Sequence, residues 1–148
     1  MYGVLLFFHL SGLFVWLGSL FAIVVMLLLL KNQLDSPQTK KLINRIVRVF
    51  SMFAHPSSLV VLISGVIMII QIGLGNNKPF WLDIMEKGGG TIILLALVLT
   101  GIMGSRMKKR LAGAQPGDVI NLSGYLSVMI AFIVSILAIV LIVSMKLN

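Results

Sequence analysis

The fold of this chain is decided between Val4 and Leu30, where the sequence reads VLLFFHLSGLFVWLGSLFAIVVMLLLL. This stretch has no formal charge apart from the ionisable side chain of His9. About 20 apolar residues are enough to cross the hydrocarbon core of a bilayer, and at ~1.5 Å per residue this stretch forms a helix of about 40 Å. We therefore predict a transmembrane helix that tilts or extends beyond the bilayer.

Three more apolar stretches follow, at residues 49–75, 80–105 and 119–145. Each has the length and the low charge of a membrane span. Trp81 stands at the entrance of the third stretch, where an interfacial anchor is expected. We predict an all-α integral membrane protein, with the whole chain (1–148) forming a single four-transmembrane-helix bundle.

The composition excludes several classes of protein. Apolar residues make up 59% of the chain and charged residues only 11%, against about 25% charged in an ordinary soluble domain. A water-soluble enzyme is excluded on this ground. The chain has no cysteine, which excludes a disulfide scaffold, a thiolate zinc site and a cysteine nucleophile.

The net charge of +8 is interpreted as an orientation signal, and we predict no nucleic-acid partner. The basic residues cluster in or beside the first and third connections, at Lys31, Lys40, Lys41, Arg45, Arg48, Arg106, Lys108, Lys109 and Arg110. By the positive-inside rule, these connections are cytoplasmic and both termini lie outside. No basic segment precedes the first apolar stretch, so we expect no cleaved signal peptide. The expected location is the cell membrane, most simply the cytoplasmic membrane of a bacterium.

Residues 36–48 form a basic, amphipathic lead-in to the second span. Ser36 suits the N-cap and Pro37 the first helical position. Apolar residues recur after them at helical spacing, at Leu42, Ile43, Ile46, Val47 and Phe50. This pattern predicts a helix that rests on the inner leaflet.

Two histidines, His9 and His55, lie inside predicted spans. Ionisable groups in a membrane are costly, so both are candidate functional residues and candidate metal ligands. His9 is near the outer end of its span and His55 near the inner end of the next, which separates them vertically by more than about 10 Å. A metal shared by the two imidazoles of one chain is therefore disfavoured.

Two interpretations of His55 stay open. Pro56 follows it and two serines come next, so the backbone is expected to be kinked with hydroxyl groups nearby. A neutral His55 bonded to Tyr125 or to a serine would be structural. A ligand or proton carrier would be functional.

The first helix places Gly12, Leu13 and Trp16 on the face of His9. Small residues form a neighbouring stripe, at Ser11, Val15, Gly18 and Ala22. Such a stripe lets another helix approach, either within the bundle or in a homodimer formed through the first helix. His9 is then either hydrogen-bonded across the bundle or a cofactor ligand.

The pattern His9-Leu10-x-Gly12-x-x-x-Trp16-x-Gly18-x-Leu20-Phe21 resembles the first-helix signature of a superfamily of small four-helix membrane proteins. This superfamily includes the haem-associated bacterial protoporphyrinogen oxidase family and the copper resistance D membrane domain. The resemblance implies b-type haem with His9 as an axial ligand, and oxidoreductase chemistry in tetrapyrrole metabolism, with a tetrapyrrole or a quinone as partner. The cofactor-binding residues it implies are His9, Gly12, Trp16, Met85 and Lys87.

The sequence departs from the oxidase family at two places. The first helix continues as Phe21-Ala22-Ile23-Val24-Val25-Met26, with no arginine and no second histidine. The family's lysine, about four residues after its tryptophan, corresponds to Met85, and Lys87 follows two positions later. Asp83 and Lys87 are also spaced for a simple helix-surface ion pair.

Two other functions stay open. Nine methionines invite a copper-transport or copper-resistance interpretation, because thioether sulfur favours Cu(I). Met103 and Met107 have helical spacing, but the cations around Met107 would repel a metal ion. A non-enzymatic assembly or interaction subunit needs no cofactor at all.

Overall fold

A computed structural model of the protein describes residues 2–34, 36–73, 79–113 and 122–145. Four helical segments are long and apolar enough to cross a membrane, namely Tyr2–Gln33, Pro37–Ile72, Phe80–Gly113 and Ser123–Met145. No strand occurs in these ranges. The predicted all-α bundle of four membrane helices is confirmed.

The helices run as follows. They are α1 (Tyr2–Leu30) with a 3₁₀ turn at Lys31–Gln33, α2 (Pro37–Ile72), α3 (Phe80–Asp83), a π-helical turn at Ile84–Gly89, α4 (Gly90–Gly113) and α5 (Ser123–Met145). The third span is thus built from α3, the π-turn and α4 in one continuous segment. The first and third predicted spans lie inside these helices. Residues 74–75 and 119–121 of the other two lie outside the described ranges.

α2 is the longest helix because the lead-in continues into the second span without a break. Ser36 is its N-cap and Pro37 its first helical residue, as predicted. The side chains of Ile43 and Val47 have 0% exposure and pack in the core with Leu27 of α1. Ile43 and Val47 of the lead-in therefore pack on the bundle, whereas Leu42, on the same segment, is 47% exposed.

The four helices form a closed ring in the order α1, α2, α4, α5, with the most extensive packing between α1 and α2. The core-facing residues of α1 recur at helical spacing, at Trp16, Leu20, Ile23, Val24 and Leu27. The outer faces are apolar as well, and Phe14 is 76% exposed. Large exposed apolar side chains on every face are what a lipid-facing bundle requires, so the chain is a multi-pass membrane protein.

Gly12 lies at a close contact between α1 and α2. A methyl group at this position would lie 3.0 Å from Cγ2 of Val61 and 3.1 Å from the carbonyl oxygen of Ser57. Both distances are too short for a carbon side chain to fit without movement. The missing side chain of Gly12 therefore permits the α1–α2 contact, in the way that small residues do in membrane helices.

Pro56 interrupts the hydrogen-bond ladder of α2, because proline has no backbone N–H to donate to the carbonyl of Met52. The two serines after it donate their hydroxyls to neighbouring carbonyls. Ser57 bonds to the carbonyl of Phe53 at 2.6 Å, and Ser58 bonds to that of His55 at 2.7 Å. Both hydroxyls are thereby satisfied within the helix, although neither replaces the missing bond to Met52.

We expect Tyr125→Phe to leave stability unchanged or to raise it. Tyr125 is 5% exposed, and its hydroxyl has no hydrogen-bond partner in the described part of the chain. Of the two partners considered for His55, Tyr125 or a serine, Tyr125 is thus not bonded, and the imidazole instead bonds to the backbone carbonyl of Ser51. Removing an unsatisfied buried hydroxyl removes a desolvation cost of about 1–3 kcal/mol.

Thermal unfolding of the purified protein in detergent measures this change. Tyr2→Phe is the matched control, because Tyr2 is 47% exposed and its hydroxyl is already accessible. A fall in unfolding temperature for Tyr125→Phe alone would contradict the expectation and would show that the hydroxyl has a stabilising partner.

Candidate functional site

His9 lies at the interface of α1 and α2, where it is half-buried. Its Nδ1 is 3.0 Å from the carbonyl oxygen of Val61 and 3.1 Å from Oγ of Ser64. Both partners lie on the facing side of α2. The position of His9 is thus fixed by a helix contact and by two polar atoms of the neighbouring helix.

The two contacts determine which ring nitrogen of His9 carries the proton. A carbonyl oxygen only accepts hydrogen bonds, so the bond to Val61 requires a proton on Nδ1. Ser64 donates its own hydroxyl to the carbonyl of Val60, which leaves its oxygen to accept from the imidazole. In a neutral ring Nε2 then keeps its lone pair. Nε2 has no hydrogen bond to any residue that the structure describes.

Gly65 provides the surface on which the ring of His9 rests. A methyl group at Gly65 would lie 3.2 Å from Cε1 of His9 and 3.6 Å from Nδ1. Sequence reasoning did not identify Ser64 or Gly65 as part of the site. The sequence feature that could have identified them is Ser64-Gly65, a hydroxyl residue followed by a glycine in the middle of an apolar span. This feature indicates a histidine site only once it is known which part of α2 faces His9.

Gly12 contacts α2, as His9 does, and Trp16 follows them on α1 at helical spacing. Gly12 sets the approach of the helices, and Trp16 is 3% exposed and packs in the apolar core. The indole therefore fills the core about two turns further along α1 than His9. Its role in the described structure is packing.

Met85 and Lys87 lie on the π-turn, which packs more extensively on α5 than on α1. Nζ of Lys87 is 2.7 Å from Oδ1 of Asp83, and the two side chains are 74% and 42% exposed. This is the helix-surface ion pair that the spacing of Asp83 and Lys87 predicted. The structure brings Gly12 and Trp16 together with His9, but it holds Lys87 in an ion pair on another element.

His55 faces a different helix from His9. Its Nδ1 donates to the carbonyl of Ser51 at 2.8 Å, so Nε2 again keeps its lone pair in the neutral ring. A methyl group at Gly101 of α4 would lie 3.4 Å from Nε2. Each membrane histidine therefore rests on a glycine of a neighbouring helix.

The two histidines are separated along α2. His9 contacts the helix at Val61 and Ser64, and His55 precedes Val61 by about 9 Å of helix at ~1.5 Å per residue. The two rings also face different neighbouring helices. The structure thus holds the two imidazoles at different heights along α2.

The other candidate ligands are dispersed. Within the described ranges, no group of three or more His, Asp or Glu side chains comes close enough to hold a metal ion. Met107 is buried in the apolar core, and Met103 is partly buried and packs against that core. These two sulfur atoms belong to the packing between helices.

No family model, curated protein or solved structure matches this chain.

Proposed function

We propose that this chain is a multi-pass membrane protein that binds b-type haem through His9 and takes part in redox chemistry of tetrapyrrole metabolism. One observation supports the haem ligand above all others: Nδ1 of His9 is held by the carbonyl of Val61. Nε2 is thereby left as the nitrogen with a lone pair. The proposal for the reaction class rests on the resemblance of the first helix.

The hydrogen bond to Val61 has the form expected of a metal-binding histidine. Such histidines donate their second ring N–H to a carboxylate or a backbone carbonyl, which fixes the tautomer and the orientation of the ring. Val61 and Ser64 of α2 accept the hydrogen bond from Nδ1 of His9. Gly65 leaves the space that the ring occupies, because it has no side chain there. Bound haem iron would supply one-electron redox chemistry, and a quinone or a tetrapyrrole would exchange electrons with it.

The second axial position has two proposed occupants. Met85 and Lys87 are the candidates within the chain, and Lys87 would have to leave Asp83 to serve. His9 of a second copy is the alternative. The stripe at Ser11, Val15, Gly18 and Ala22 favours a homodimer, because Val15 and Gly18 are exposed and unused by the core. A haem shared in this way gives one haem per two chains.

The haem proposal is tested by the absorption spectrum of the protein purified after haem-replete expression. We expect a Soret band that His9→Ala abolishes and His55→Ala leaves largely intact, because only His9 is expected to ligate iron. Equal loss in the two variants would contradict the assignment to His9. Colourless wild-type protein would refute haem binding and favour copper transport or an assembly subunit.

We propose that the chain lies in the cytoplasmic membrane of a bacterium with both termini outside. The basic residues of the first and third connections support this orientation. The chain has no cysteine, so single cysteines can be labelled without background. Gln38→Cys should react with a membrane-impermeant maleimide only after the cells are opened, whereas Gly3→Cys should react in intact cells.

The labelling pattern has a clear contrary outcome. Gln38 and Gly3 are both exposed, so access to reagent depends on the side of the membrane rather than on packing. Reaction of Gln38→Cys in intact cells, with protection of Gly3→Cys, would show that the protein has the opposite orientation in the membrane.

A further inference from the structure

A cleft lined by both polar and apolar residues opens between α2 and α4, whereas His9 contacts α2 from α1. Its volume is about 240 Å³, and its lining includes Arg48, Ser51 and His55 from α2 and Thr100, Gly101 and Lys108 from α4. The proposed haem site uses none of these residues. Their chemistry is unlike that of the surrounding apolar surface.

The cleft has a charged mouth, and the imidazole of His55 lies at its floor. α2 enters the bundle from its basic end and α4 returns to that end, so Arg48 and Lys108 lie at the mouth. His55 lies about 10 Å further along α2 at ~1.5 Å per residue, and Gly101 faces it from α4. A ligand in the cleft would meet two cations first and the imidazole of His55 last.

The donors of the cleft are those that recognise phosphate. An arginine guanidinium and a lysine ammonium form charge-assisted hydrogen bonds to phosphate oxygens. Two hydroxyl residues that line the cleft, Ser51 of α2 and Ser105 of α4, lie between these cations and the floor in the order of their helices. No carboxylate lines the cleft among the residues that the structure describes. The cleft is therefore electrostatically suited to an anion.

His55 adds a second requirement. Its Nδ1 is occupied by the carbonyl of Ser51, so Nε2 of the neutral ring is an acceptor at the floor of the cleft. A ligand that fits therefore has an anionic phosphate and a hydroxyl group further along. At ~30 Å³ per water molecule, the cleft has room for about eight waters, which is ample for a phosphate with a small polyol.

We propose that this cleft binds the headgroup of an anionic phospholipid, with the phosphate between Arg48 and Lys108 and a headgroup hydroxyl donating to Nε2 of His55. The mouth lies at the end of the bundle where basic residues concentrate, which is the level of lipid headgroups if this end faces the anionic leaflet. The chemistry recognised is phosphate, whose other source is free inorganic phosphate. The lipid is favoured because the cleft continues from the headgroup level into the membrane.

The test uses the full chain purified in a non-ionic detergent. Short-chain phosphatidylglycerol, short-chain phosphatidylcholine and inorganic phosphate are titrated separately, and bound ligand is counted by native mass spectrometry. We expect one saturable phosphatidylglycerol site, with at least about tenfold weaker binding of phosphatidylcholine, which lacks net negative charge. Equal binding of the two lipids would overturn the proposal.

A pair of double variants separates the cleft from general surface charge. Arg48→Gln/Lys108→Gln removes the two cations of the mouth. Arg45→Gln/Lys109→Gln removes the same charge from exposed neighbours that do not line the cleft. We expect at least about 100-fold weaker phosphatidylglycerol binding in the first variant, from two lost charge-assisted bonds, and less than about threefold in the second. Equal weakening would overturn the proposal.

Gly101→Leu tests the same site with every charge in place. Its side chain would fill the floor beside His55, so phosphatidylglycerol binding should fall by at least about tenfold while the helix content measured by circular dichroism stays the same. Undiminished binding in this variant would overturn the proposal. A different contrary result is that inorganic phosphate binds as tightly as phosphatidylglycerol and loses that binding in the same variants. That result would overturn the lipid assignment, because the site would then bind a soluble anion.

Discussion

In the Gly12→Leu variant, α1 and α2 should separate and the bundle should lose about 3 kcal/mol of stability or more. The first carbon of the new side chain would lie 3.1 Å from the carbonyl oxygen of Ser57 and 3.0 Å from Cγ2 of Val61. A backbone carbonyl in a helix cannot rotate away, so the helices must move apart. Overpacking of a tight contact costs about 1–3 kcal/mol even where side chains can adjust.

Gly18→Leu is the matched control, because it adds the same side chain to the same helix at an exposed position. A methyl group at Gly18 would have no atom within 4 Å. Unfolding by sodium dodecyl sulfate, followed by circular dichroism, should place Gly18→Leu near the wild type and Gly12→Leu well below it. Similar midpoints for Gly12→Leu and the wild type would show that α1 and α2 do not meet at Gly12.

The number of helices and their type were predictable because each span is a long, uncharged apolar run. Even the start of α2 followed from Ser36 and Pro37. A membrane leaves a backbone segment almost no alternative to a helix, since every N–H and C=O must be bonded internally. Apolar length therefore translates into structure more directly than in a soluble protein.

The side of each helix that faces its neighbour was harder to predict. In α1 both faces are apolar, so hydrophobicity does not distinguish the core residue Leu20 from the exposed Phe14. The position of the lead-in is hard to predict for a related reason. Its apolar residues could pack against lipid or against another helix. The burial of Ile43 and Val47 depends on the length of α1, which brings Leu27 into the same cluster.

The surroundings of the two histidines depend on the vertical register of the helices. His9 meets Ser64 and Gly65 because α1 and α2 are aligned at that height, and His55 meets Gly101 because α4 is aligned with α2. A change of one turn would give each ring a different neighbour. The sequence identified both histidines as candidates, but the glycines beneath them follow only from the assembled bundle.

If His9 ligates haem as we propose, the Gly65→Val variant should lose haem although His9 is still present. A methyl group at this position would lie 3.2 Å from Cε1 of His9, and the branched side chain of valine extends further. The ring must then turn or shift, which breaks the hydrogen bond from Nδ1 to the carbonyl of Val61. Loss of such an outer partner weakens metal binding by about 10–100-fold.

Gly101→Val is the control for Gly65→Val, because a methyl group at Gly101 lies 3.4 Å from Nε2 of the other membrane histidine, His55. Both variants add valine to a spanning helix beneath an imidazole, so general effects on folding and insertion are matched. The Soret absorbance per chain should fall at least about tenfold in Gly65→Val and stay near the wild type in Gly101→Val. If Gly65→Val keeps its haem, the iron does not depend on the ring position that α2 imposes, and His9 is a packing residue rather than the axial ligand.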